Sequence, residues 1–173
     1  LGGIGGGVVY VPIVSGFFPF SLDFVRAAGL VVAMAGSLAA TPFQLRRGYA
    51  YLKLMLPAGL VSSIGAIVGA RVGLELAPGL VQLLLGICVL GISALMLFAR
   101  NAEYPRVESA DPLSAALDIS GVYYEASTGQ TVRWRVRNTP VALALTLGIG
   151  FLAGMFGLGA GWANVPVFNL LMG

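Results

Sequence analysis

Residues 79–99 read GLVQLLLGICVLGISALMLFA, an apolar run without a single charged side chain. A helix of that length covers a hydrocarbon layer of about 30 Å, so this stretch is the clearest membrane-crossing segment in the chain. Working outward, a short break at Glu75 to Pro78 separates it from a second apolar run, Leu54 to Leu74, with Arg71 near its far end. A third run, Val25 to Leu45, carries Arg26 at its start and the small polar residues Ser37, Thr41 and Gln44 further on. Arg46, Arg47, Gly48 and Lys53 lie between these last two. Three crossing helices are therefore expected before residue 100, and apolar sequence resumes at Pro140 and continues to the end.

The composition agrees. Hydrophobic residues make up 58% of the 173 and charged residues only 10%, while 25 glycines exceed ordinary usage. Once the polar stretch is subtracted, the length suggests about five crossings at roughly 20 residues each. Histidine is absent and Cys88 stands alone in an apolar run. A disulfide scaffold, a zinc site and histidine-based acid/base catalysis lack their raw material, so no catalytic residue, metal or cofactor is assigned and the chain is not read as an enzyme. Leu1 is not a methionine and no basic leader precedes the first glycines, so the chain reads as a fragment or processed form.

Arg100 to Asn138 forms a charged and polar insert. Within it, GVYYEASTGQTVRWRVRN places β-branched and aromatic residues on both sides of Ser127, Thr128 and Gly129, the pattern of a β-hairpin. In the second arm Val132, Trp134 and Val136 alternate with Arg133, Arg135 and Arg137, giving one apolar and one cationic face. Those arginines suit either anionic head groups or a solvated face that contributes to topology. Acidic residues balance them, so nucleic acid is not an expected partner. Arg46, Arg47 and Lys53 fall on the same side of the membrane as the insert, because two crossings separate them. Positive-inside then places the double-arginine loop and the insert in the cytoplasm of a multi-pass plasma-membrane protein. Arg71 reads as a side chain snorkelling to the interface or as an intramembrane functional charge.

A longer-range pattern organises the rest. LGGIGGGVVYVPIV (1–14) aligns with MFGLGAGWANVPVF (155–168), so that Gly3, Gly5, Gly7, Val11 and Pro12 correspond to Gly157, Gly159, Gly161, Val165 and Pro166 at one constant offset. The chain thus holds an internal repeat whose unit is a glycine-rich element followed by three helices, the second copy being cut after its first element. Interrupted helices at matching positions in two halves are the pattern expected of transporter bundles. Glycine weakens a helix by about 1 kcal/mol relative to alanine, and clustered glycines followed by proline favour a break at membrane depth. A break frees amides that lipid cannot satisfy, and amides at the start of a half-helix hold an anion without a buried cation. The competing reading is that glycine simply lets helices pack closely. Neither run completes a dinucleotide or phosphate-loop fingerprint, since Val8 and Trp162 occupy the third glycine position and no lysine follows.

On GGIGGGVVYVPIV, AAGLVVAMAGSLAATPFQLRRG and FGLGAGWANVPVFNLLMG the chain resembles the sulfite exporter TauE/SafE (TSUP) family of membrane transporters. Family members look like eight-helix proteins of two four-helix halves, and the resemblance implies movement of sulfite, sulfonates or related organosulfur anions. Ala160 replaces a glycine in the second run and the large insert is not a general family feature. The expected fold is all-α, a polytopic transmembrane helix bundle with an internal repeat and glycine-broken helices plus a small soluble β-hairpin. Its parts are a first transmembrane repeat (1–99), a cytoplasmic insert (100–138) and the start of a second repeat (139–173). The expected function is a secondary transporter, an exporter by preference, of a small anion, with the lipid bilayer and a homo-oligomer as further partners. A membrane scaffold docking a cytoplasmic partner through the hairpin is the alternative.

The candidate substrate-binding residues follow from the repeat. Gly5, Gly7, Gly159 and Gly161 would expose backbone amides. Tyr10 and Asn164 correspond and could donate hydrogen bonds, and Pro12 and Pro166 would fix the breaks. Ser37 and Thr41, one turn apart on the next helix, are placed along the path. For both polar pairs, bonding between helices competes with ligand contact.

Overall fold

The computed structural model describes residues 5–46, 51–99, 111–125 and 130–172. In chain order these form α1 (Gly6–Phe17), α2 (Leu22–Arg46), α3 (Leu52–Glu75), α4 (Pro78–Ala99), the short α5 (Pro112–Ala116), strands β1 (Ser120–Glu125) and β2 (Gln130–Arg135), α6 (Thr139–Phe156) and α7 (Gly161–Val167), which widens into a π-helical turn at Phe168–Met172. The fold is mainly helical. Helices α2, α3 and α6 are each long and apolar enough to cross a membrane. Helix α4 has 22 residues and no charged side chain.

The core is built around small residues. Helices α3 and α6 run parallel with their backbones in contact: Gly65 faces the Leu147 carbonyl, Gly69 the Phe151 carbonyl, and, from the other side, Gly150 faces Ser62 and Gly154 faces Ala66. A methyl group at any of these glycines would land on main-chain atoms of the neighbouring helix. Large side chains of α3 point the other way, with Leu56, Leu60, Ile64 and Ile67 all exposed. That inversion suits lipid, which is as apolar as leucine and rewards close helix packing instead of hydrophobic burial. A second buried cluster, including Val11, Val25, Val81, Leu85, Phe156, Leu158 and Trp162, joins α1, α2, α4 and α6 to α7.

The polar insert is rooted in the foot of the bundle. Strands β1 and β2 pair antiparallel, with Gly121 opposite Trp134 and Tyr123 opposite Val132; the turn expected at Ser127–Gly129 lies outside the described residues. Ile119 and Val136, at the outer ends of the two strands, are buried against Ala142 and Met172. The Asp111 carboxylate accepts from the amide of Ser114 at 2.7 Å and from the amide of Thr139, also at 2.7 Å. One side chain thereby caps both α5 and α6. Tyr51 donates its hydroxyl to the Ser120 carbonyl at 2.5 Å, and Lys53 pairs with Asp118. Burial pushes the Asp111 carboxyl upward, but the hydrogen bonds from Thr139 and Ser114 outweigh it and hold the group below its ordinary 3.8.

Candidate anion site at the glycine break

The second glycine-rich element is a helix break. Helix α6 ends when Gly157 turns left-handed at φ 73°, a conformation that carries a steric cost for any residue with a Cβ. The amides of Gly157 and Leu158 both close back onto the Ala153 carbonyl, at 2.9 and 3.2 Å. Gly159 is left-handed as well, at φ 75°. The chain then starts α7, where Asn164 and Ala163 donate to the Ala160 carbonyl at 3.2 and 3.4 Å. Helical geometry gives the preceding amides, those of Gly161 and Trp162, no acceptor within α7.

The first element enters its helix differently. Gly5 caps α1 from an extended conformation, φ −74° and ψ 155°, and Val8 donates to its carbonyl at 3.1 Å. The amides of Gly6 and Gly7 face forward without an intrahelical acceptor. What precedes Gly5 lies outside the described residues.

Three glycines bring the two elements together. An added Cβ on Gly7 would sit 2.9 Å from the Leu158 carbonyl oxygen and 3.1 Å from that of Gly29. One on Gly29 would sit 2.7 Å from the Gly157 carbonyl oxygen, and one on Gly157 would sit 2.5 Å from that of Arg26. The loop at 157–158 is thus wedged between α1 and α2, backbone against backbone. From this shared layer the two half-helices leave in opposite directions. Helix α1 runs toward the end of the bundle where Arg26, early in α2, meets Gly73, late in α3. Helix α7 and its π-turn run back to the insert, where Arg137 donates its amide to the Met172 carbonyl at 3.2 Å and the Asn138 side chain donates to Leu171 at 3.3 Å. Each half-helix turns its positive dipole end toward the layer they share.

Charge near this layer is already engaged. Arg26 is buried, with its Nη1 3.0 Å from an Asp23 carboxylate oxygen and 3.0 Å from the Gly73 carbonyl oxygen. It neutralises the negative end of α3, where free carbonyls accumulate. Arg71, the charge that the sequence left open, is exposed. An anion at the break would therefore be held by amides and neutral donors.

Of the expected site residues, Gly5, Gly7, Gly159 and Gly161 lie at the starts of the two half-helices. Tyr10 is half-buried against the central cluster. The Asn164 Oδ1 is sealed from solvent with no hydrogen-bond partner among the described residues. Ser37 and Thr41 are not brought to the break: both are exposed and donate to their own helix, Ser37 to Met34 at 2.9 Å and Thr41 to Ser37 at 2.7 Å. The prolines also act differently from the expectation. Pro12 lies inside α1 and Pro166 inside α7, each beyond the first turn, so the discontinuity is made by the glycines that precede them. Sequence reasoning did not single out Gly29 or Ala33, although their spacing of four within α2 is a small-residue signal; the Ala33 Cβ is the nearest atom, at 3.2 Å, to a methyl placed on Gly159.

Apolar helices of crossing length, packed backbone to backbone around a helix break, are the pattern of a membrane protein. The family model described as "Sulfite exporter TauE/SafE" matches residues 1–173, and the chain belongs to that family of membrane transporters. No curated protein and no solved structure matches the chain.

Proposed function

We propose that the chain forms the binding layer of a secondary transporter for a small sulfur oxyanion, sulfite or an organic sulfonate, working as an exporter from a multi-pass plasma-membrane position with the insert in the cytoplasm. The observation that carries this reading is the meeting of two oppositely directed half-helices at the Gly7–Leu158 contact. Two positive ends of about half an elementary charge each match the single negative charge of a sulfonate or of sulfite in its hydrogensulfite form, without burying a free cation. The anion accepts from amides at Gly5 to Gly7 and Gly159 to Gly161, with Tyr10 and Asn164 at its margin. Both half-helices descend from one repeated element, which supports alternating access by rocking one repeat against the other.

Flux tests it. Full-length protein reconstituted in liposomes is expected to move labelled sulfite or methanesulfonate down an imposed gradient and to show saturation. Flux equal to that of empty liposomes for both anions would overturn the assignment.

A further inference from the structure

Trp162 is the second residue of α7 and only 8% exposed. Its Nε1 is cut off from solvent and has no acceptor among the described residues. Buried indole N–H groups ordinarily find a partner, and membrane tryptophans ordinarily sit at the interface with the N–H toward head groups. This one does neither. It lies in the central cluster, immediately after the Gly159–Ala160 corner, and its own backbone amide also lacks an acceptor within the helix. Asn164, two positions on, is about 200° further round the helix and so addresses a different side. The matching residue of the first element is Val8, which has no donor.

We propose that the Trp162 indole N–H donates to the bound oxyanion and sets the specificity of the site, a role that rests on the transport reading given above. A sulfonate or hydrogensulfite presents several oxygens around sulfur, so one accepts from backbone amides while another accepts from the indole. The donor is neutral and comes from one repeat only. The site consequently favours a singly charged anion with spread oxygens, bound in one orientation.

Two variants of the full-length protein test this with methanesulfonate as the probe. Trp162→Phe keeps the ring body and removes only the N–H; it should raise the half-saturation concentration roughly 10- to 100-fold, the range for a hydrogen bond to a charged group, at unchanged thermal stability. The chain has two tryptophans, Trp134 and Trp162. In Trp134→Phe, Trp162 is the sole tryptophan of the 173-residue sequence, and its fluorescence should shift on titration and saturate with the same midpoint as flux. Saturable flux with unchanged affinity in Trp162→Phe would overturn the proposal while leaving the transport reading standing. If Trp162→Phe fails to fold, the titration decides: a matched midpoint supports the indole contact and a silent fluorescence signal beside normal flux overturns it. Absence of both flux and binding in the unaltered protein would overturn the transport reading, and this proposal with it.

Discussion

Gly5 and Gly159 correspond when residues 1–14 are aligned with 155–168, yet they do different work. Gly5 is extended at φ −74°, and among the described residues nothing lies within 4 Å of where its Cβ would be. Gly159 is left-handed at φ 75°, with the Ala33 methyl 3.2 Å away. The difference comes from what each copy must accomplish. Before Gly159 the chain has just climbed α6 and has to reverse, which takes two left-handed residues in three positions. At Gly5 the described chain only enters a helix from an extended cap. The residue type at two aligned positions is thus shared while the backbone demand on it differs with the preceding element.

Four substitutions sharpen or break that comparison. The largest effect is expected at Gly157→Ala, which adds left-handed strain of about 1–2 kcal/mol and also drives a methyl into the Arg26 main chain, which cannot yield. Thermal unfolding in detergent should show the greatest loss of stability in the series, and a Tm equal to that of the unaltered protein would refute the wedge of 157–158 between α1 and α2. Gly159→Ala comes next. It carries the same left-handed cost of about 1–2 kcal/mol, but among the described residues its added Cβ meets only the Ala33 methyl, which can shift by a few tenths of an ångström. Folded protein should persist with a lowered Tm and weakened anion affinity.

Asp111→Ala follows, removing the shared cap of α5 and α6 at a cost of about 1 kcal/mol. Because hydrogen bonds hold the Asp111 carboxyl below its ordinary 3.8, the contribution is fully present above that value and is lost as pH falls through the lower folded value. Protection of the Ser114 and Thr139 amides from hydrogen exchange, relative to their intrinsic rates, should fall in that acid window, and in Asp111→Ala it should be low at neutral pH too. The smallest effect belongs to Gly5→Ala, expected to stay within about 0.5 kcal/mol in stability. A Tm drop at Gly5 as large as that at Gly159 would restore the equivalence of the two copies.

The helices were legible because lipid admits long uncharged runs and little else. The expected spans 25–45, 54–74 and 79–99 sit inside α2, α3 and α4. The second break was legible in GLGAG, since two left-handed residues leave glycine as the natural occupant. Less visible was the packing role of Gly65, Gly69 and Gly73 on α3 against Gly150 and Gly154 on α6, although their spacing of four is plain once α3 and α6 are known to touch. Pairing of helices far apart in sequence is a tertiary fact that periodicity within one helix does not carry. Arg26 showed in the sequence only as a charge at the start of an apolar run, because its acceptor, the Gly73 carbonyl, is a backbone atom that any residue would supply. Ser37 and Thr41 looked like path-lining residues because a hydroxyl in an apolar helix draws attention, whereas a carbonyl three or four residues back already satisfies each. Ile119 and Val136 were assigned to a soluble insert by neighbourhood, yet they complete the foot of the bundle. An insert trimmed to its strand tips should thus be tolerated better than one removed from Ile119 onward.

The seating of Gly157 against Arg26 and Gly29 also has a bearing on how the protein is made. The shelf on α2 emerges from the ribosome about 130 residues before the loop that fills it, which at roughly 5–20 residues per second is a wait on the order of ten seconds. During that interval Gly29 on α2 lacks the backbone it later packs against. Arrival of the loop ends that interval by supplying the main-chain contacts of Gly29 and Arg26.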